Sequence, residues 1–190
     1  MTPALPAYVC ALLNGLAAVA LATVLAPGTT LVDPGSRSSY VREHLLAWRL
    51  GWSLWILAAI SLLWFYAWWR ARIRAGGAAL AIAALGFVAD VVAESGLIAL
   101  VPDRPELAPT AFLLTGGVAN ACYSIAGILL SLETCALRGA LVPWTAGMWA
   151  SGLALSAFAA LAIPLGVAAA TAVLFVLFIP WVVVVGRRLA

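Results

Sequence analysis

The sequence predicts an all-α, polytopic integral membrane protein, a bundle of six transmembrane helices with both termini in the cytoplasm. Three observations lead there. Hydrophobic residues make up 66% of the 190 positions and charged residues only 9%, against about 25% charged in soluble domains. Mean hydropathy is +1.12. The apolar residues fall into successive stretches of about 20, the length a helix needs to cross about 30 Å of hydrocarbon. In lipid every backbone polar group must be satisfied within the segment, which selects helices. The chain, residues 1–190, is expected to form a single transmembrane helical domain.

The expected spans are Ala7–Ala26, Trp48–Trp69, Ala78–Val101, Pro109–Ala136, Trp144–Ile163 and Val167–Val185. The first lacks the charged n-region of a signal peptide, and its apolar stretch is too long for an ordinary signal core, so it is kept as a helix. Pro27-Gly28 is expected to end it. Residues 27–47 then form the one sizeable outer loop, with Asp33-Pro34-Gly35-Ser36 as a turn and a helix starting near Ser39. In the second span, tryptophans at both ends (Trp48, Trp52 and Trp55; Trp64, Trp68 and Trp69) have the pattern of interfacial anchors. Ile163-Pro164-Leu165-Gly166 joins the last two spans as a helical hairpin. Pro180 is the only proline expected inside a span, and no break is expected at the depth of the acids described next.

Orientation follows the arginines. Arg70, Arg72, Arg74, Arg138, Arg187 and Arg188 fall on one side of a six-span topology; Arg37, Arg42, Arg49 and Arg104 fall on the other, among four acids. The positive-inside rule makes the first side cytoplasmic. A cell membrane is the expected location, specifically a bacterial inner membrane.

Asp90 and Glu94 lie one helical turn apart in the middle of the third span. An acid at membrane depth costs several kcal/mol unless it is paired, hydrated or protonated, so such residues are functional candidates. At a spacing of four, both project from one face. Two like charges this close in low dielectric disfavour each other, so one of the pair is expected to hold a proton near neutrality. Span 4 carries a complementary stripe of small and polar residues at Gly116, Asn120, Ser124, Gly127 and Ser131, with Tyr123 beside it. Such a stripe permits close helix packing. Packed against span 3, it would bring Asn120, Tyr123 and Ser124 to the acids as substrate-binding residues. Asn14 on span 1 is expected to make an interhelical hydrogen bond. In the outer loop, Arg49 and the single histidine, His44, are further candidates for contact with substrate. Arg42 and Arg49 share a face if residues 39–49 are one helix. Glu133 reads as an interfacial charge.

Composition excludes several chemistries. All ten cationic side chains are arginine, so no lysine is present to form a Schiff base. The three cysteines lie in or beside apolar segments without a CxxC motif, which supports neither disulfides nor zinc. One histidine does not make a haem or multi-histidine iron site. No metal, cofactor or nucleic-acid partner is therefore expected. The lipid bilayer is the expected surrounding, and a lipophilic small molecule the expected ligand.

Three functions fit these residues. In the first, Asp90 and Glu94 serve as general acid and base for isomerisation or cyclisation of a lipophilic molecule such as an isoprenoid or sterol. Tyr123 and Asn120 would orient it and Arg49 would offset negative charge. A dry aromatic pocket suits such chemistry because carbocations need protection from water. The second is a proton-coupled transporter of small molecules, for which six helices imply a homodimer. The third is a non-catalytic membrane subunit whose polar groups hold helices together.

Overall fold

The computed structural model describes residues 4–30, 33–74 and 76–190 and contains no strand among them. Seven helices follow in order: α1 (Leu5–Thr30), α2 (Pro34–Glu43), α3 (Leu45–Ile73), α4 (Ala78–Ala99), α5 (Pro105–Leu132), α6 (Leu141–Ala160) and α7 (Pro164–Leu189). Five of them, α1, α3, α4, α5 and α7, are long and apolar enough to cross a membrane. The sixth long helix, α6, has 20 residues and no ionisable side chain, but its tryptophans, glycines and serines dilute its apolar character.

The six long helices form a ring. In spatial order α1, α3, α4, α5, α6 and α7 each pack chiefly on their two neighbours, and α7 closes back onto α1. Successive members are antiparallel. The short α2 lies over one end, called the outer end below. Arg72, which donates to the Leu189 carbonyl, and Arg188, which donates to the Ala136 carbonyl, gather at the opposite, inner end. Their positive charge suits the orphan carbonyls of helix C-termini there.

The interior of the ring differs at its two ends. At the inner end it is filled by rings: Phe65, Tyr66 and Trp69 of α3 meet Trp149 of α6 and Phe178 and Trp181 of α7. The Trp181 ring lies 5.4 Å from Trp69 and 5.6 Å from Trp149, both edge to face. Each indole N–H in this plug finds a hydroxyl: Trp69 donates to Thr134, Trp149 to Ser131 and Trp181 to Thr145, at 2.8–3.0 Å. These three tryptophans therefore bring hydrophobic area without an orphaned donor.

The tryptophans of α3 correct the interfacial reading. Trp48 and Trp69 are fully buried and Trp52 nearly so, whereas Trp64 is exposed. Positions 48, 52, 55, 59, 62, 66 and 69 recur every three to four residues, so they make one inward face of the helix.

Three further expectations about the outer end are revised. Pro27-Gly28 does not end α1, which runs on to Thr30 after a π-helical segment, Leu21–Leu25. The wider turn moves the preceding carbonyls, so the proline ring fits without the clash it would cause in a regular helix. The outer-loop helix starts at Pro34, not Ser39, because Asp33 caps it: the Ser36 N–H donates to the Asp33 carboxylate at 2.6 Å. That helix breaks at His44 (φ −113°), so Arg42 and Arg49 do not share one helical face. Tyr40 donates to the Val24 carbonyl at 2.6 Å, and Arg37 to the Gly28 carbonyl at 3.0 Å. These bonds fasten α2 to the outer end of α1.

At the inner end α1 and α7 are closely apposed, because a methyl group added at Gly186 would overlap the Ala7 side chain. Gly186→Ala should therefore destabilise the bundle by about 1–3 kcal/mol, the usual range for overpacking, read as a lower unfolding temperature in detergent. At the outer end, the Ser36 N–H holds the Asp33 carboxyl below its ordinary range. A depressed folded value means that the cap contributes stability above the unfolded Asp range and loses it as pH falls through the folded value. Acidification, or Asp33→Ala at neutral pH, should lower the protection of amides in the first turn of α2, measured against the unstructured exchange rate at the same pH, while leaving α3–α7 protected.

Candidate acid site in a central cavity

Helix α4 has two unlike faces. Leu85, Val88 and Val92 are 59–67% exposed, while Asp90 is 6% and Glu94 0% exposed. Both acids therefore point into the bundle, as ionisable residues in apolar segments generally do. Their partner helix is α5. One turn inward of Asp90, Gly86 lets the two backbones meet: a Cβ there would lie 2.9 Å from the Ala119 carbonyl oxygen and 2.8 Å from Cys122 Cβ.

Two hydroxyls of α5 reach Asp90. Thr115 donates to Oδ1 at 2.5 Å and Tyr123 to Oδ2 at 3.3 Å. Eight residues apart on a regular helix, these side chains would be offset by about 80° at roughly 100° per residue. Residues Leu113–Ala119 are π-helical, and their wider turns take up that offset. A break at the depth of the acids is thus present in α5, contrary to expectation, and it positions one of the two donors. From α3, Tyr66 donates to the Tyr123 carbonyl at 2.9 Å, which links a third helix to the same point.

Glu94 has a different environment. Its carboxyl is fully buried, and neither oxygen has a hydrogen-bond partner among the described residues. Trp48 donates to the Leu97 carbonyl at 2.8 Å and so sets the α3–α4 register, with Trp52 and Trp55 opposite Ala93 and Asp90. The indole N–H groups of Trp52 and Trp55 also lack acceptors among the described residues. An ionised carboxylate without donors in apolar surroundings is strongly disfavoured, so these surroundings accommodate the neutral acid.

Outward of the aromatic plug the ring encloses a cavity of about 680 Å³, within the range of small-molecule sites. Its wall is mostly apolar, and Asp90 is the one α4 residue in its lining. Tyr66, Thr115, Asn120, Tyr123 and Ser124 supply polar groups around Asp90, with Asn14 deeper. Arg37 and Glu106 stand at the outer mouth. The Arg37 guanidinium lies 5.6 Å from the Phe112 ring centroid. Burial lowers its pKa from the usual arginine value, and the side chain remains a cation at neutral pH.

Asp90, Asn120, Tyr123 and Ser124 thus meet around one cavity. Glu94 lies behind the wall, outside the lining. His44 and Arg49 are exposed and lie outside the lining. His44 stacks on Tyr40 at 4.4 Å between centroids. The polar stripe of α5 serves α6 rather than α4. The Asn120 amide donates to the Gly152 carbonyl at 2.6 Å and to Ser156 Oγ at 2.9 Å, and Gly127 lies against the Trp149 ring. Asn14 donates to the Cys10 carbonyl of its own helix at 2.9 Å, not to a neighbour. Glu133 is exposed.

Sequence reasoning passed over Thr115, whose signal was the Thr-Gly-Gly run at the depth of the acids. It also passed over Arg37, which reaches the mouth only because α2 folds back over α1. Among the described residues, no group of three His, Cys, Asp or Glu side chains is placed to hold a metal ion. Comparison with protein-family models, curated proteins and solved structures returns no match for this chain.

If the two hydroxyls hold Asp90, Thr115→Val should destabilise the protein by about 1–3 kcal/mol, the cost of orphaning a buried acceptor. The same change in an Asp90→Ala background should cost clearly less. A double-mutant cycle on unfolding in detergent reads the difference.

Proposed function

We propose that this chain is a six-span membrane protein, with both termini cytoplasmic, that performs acid–base chemistry on a lipophilic small molecule held in the central cavity. The observation that carries the reading is the carboxyl of Asp90, set below the mouth in a mostly apolar stretch of the cavity and held by a hydroxyl on each oxygen. The six-span reading is supported by α6, which stands in the ring between two helices apolar enough to cross a membrane. The orientation is supported by the arginines of the inner end.

In this mechanism Asp90 delivers its proton to a carbon–carbon double bond of the substrate, and a carbocation forms. Loss of a proton from a neighbouring carbon back to the Asp90 carboxylate completes an isomerisation. Attack by a second double bond before that loss gives a cyclisation. Tyr123 and Thr115 fix the direction of the carboxyl, and their hydroxyls receive the negative charge while it lasts. The aromatic wall of Trp52, Trp55, Phe112 and Phe175 excludes water, and its π faces stabilise positive charge. Glu94, neutral and one turn away, keeps a second negative charge from forming beside the site.

The test uses the protein reconstituted in vesicles with a lipid extract in heavy water. Wild type should yield a product carrying carbon-bound deuterium, and Asp90→Asn should yield none. Tyr123→Phe should lower the rate by about 10²-fold, within the range for removing one donor that stabilises developing negative charge. Gradient-driven uptake that Asp90→Asn abolishes, without chemical change in any lipid, would replace this reading with proton-coupled transport. Variants altered only in unfolding temperature would replace it with a structural subunit.

A further inference from the structure

Access to the cavity is the question that the acid site leaves open, and the packing of α1 against α7 bears on it. These helices are antiparallel. Ala7 lies against Gly186, and a Cβ on Gly15 would lie 3.9 Å from the Ile179 side chain. That register sets Ala22 opposite Ala172, and Ala26 opposite Ala168. Yet only the inner portion of α1, Leu5–Ala20, packs extensively on α7; from Leu21 outward the two helices part. The four alanines line the cavity, and Ala22, Ala168 and Ala172 are exposed.

Each helix carries a bending element beside the gap. In α1 these are the π segment Leu21–Leu25 and Pro27; in α7 it is Pro180, which removes a helical hydrogen bond just inward of the divergence. The outer end, by contrast, is covered. There α2 rests on the last turns of α1 and on Pro105–Leu107 at the start of α5, and is tied down by Tyr40 and Arg37.

The shape of the cavity restricts what can occupy it. The lining runs from Thr30 at the mouth to Asn14 at the floor, about 24 Å at roughly 1.5 Å per residue. Its volume of about 680 Å³ lies within the range of sites that hold one small molecule. That volume suits a molecule with one hydrocarbon chain or a narrow ring system, and it falls well short of a whole two-chain lipid. Polar groups stand at the mouth (Arg37, Glu106) and around Asp90 about halfway down, separated by apolar wall.

We infer that the cavity loads sideways from the bilayer, through the gap between the outer halves of α1 and α7, and that its ligand is a single-chain amphiphile drawn from the leaflet on the α2 side. The inference rests on the reading of the Asp90 cavity as a lipophilic site. A ligand of this class lies with its polar end by Arg37 and its chain descending past Asp90, so that a mid-chain double bond comes level with the carboxyl.

The test uses the full chain in phosphatidylcholine vesicles and two photoreactive probes: a fatty acid with a mid-chain diazirine, and a phosphatidylcholine bearing the same group on one of its two chains. In wild type the fatty acid should label the cavity peptides containing Asn14, Trp52 and Tyr66, and the two-chain probe should not. Ala22→Trp combined with Ala172→Trp, which fills the gap, should abolish that labelling; the gentler Ala22→Leu with Ala172→Leu should slow it, and serves if the tryptophan pair does not fold. Glu106→Trp, at the covered mouth, should leave it in place. Cavity labelling undiminished in folded gap variants, or abolished by the mouth variant, would overturn lateral loading. Equal cavity labelling by the two-chain probe would overturn the single-chain class. Asp90→Asn separates the two readings: labelling kept with chemistry unaffected sinks the acid mechanism alone, while cavity labelling absent from wild type with chemistry lost in Asp90→Asn sinks the single-chain ligand alone.

Discussion

A carboxyl group inside an apolar bundle must be given hydrogen-bond donors by the protein, since hydrocarbon offers none. Much of this structure follows from meeting that need at Asp90. Helix α4 turns its aliphatic side outward and its acids inward. Gly86 removes the side chain that would hold α5 away. The π turns of Leu113–Ala119 bring Thr115 and Tyr123 to opposite oxygens of one carboxyl. Tyr66 then anchors the Tyr123 backbone from across the ring. No one of these features explains Asp90, because each donor depends on the helix spacing set by the others.

The same bundle is sealed at one end and hollow at the other, and side-chain size accounts for the contrast. At the inner end large aromatic rings interlock, each indole paired with a hydroxyl, and Gly186 admits Ala7 so that α1 and α7 close. Outward, alanines stand where the closing residues would need to be, and π and proline elements interrupt the regular hydrogen bonding of both helices beside the gap. In water an apolar chamber with an open seam would be driven shut. Between helices in lipid that drive is absent, because hydrocarbon tails solvate apolar surface as well as leucine does. An open cavity is therefore compatible with a stable bundle in a bilayer. Glu94 marks the same asymmetry: one turn from Asp90 it has no donor among the described residues, and it lies behind the wall.

The sequence alone determined the helical class, the approximate spans, and the presence of two acids on one face of a long apolar helix, with Tyr123 at matching depth. Composition and spacing carry these, because the period of a helix and the length needed to cross lipid are properties of the chain itself. The inward stripe of Trp48, Trp52 and Trp55 was also legible in their three- and four-residue spacing, although an interfacial role competes for the same tryptophans.

Only the tertiary structure decided which neighbour each face meets. Asn120 and Gly127 serve α6, and Thr115 serves Asp90, because a π segment rotates the outer part of α5 against its inner part, which a fixed period of 3.6 does not register. Arg37 came to the cavity mouth, and Arg49 and His44 stayed outside it, because α2 starts at its Asp33 cap, breaks at His44 and folds back over α1. Local pattern determines which residues lie on the same side of one helix. The rotation and divergence of helices, set here by glycines, prolines and π turns acting on contacts distant in the chain, decide what that side confronts.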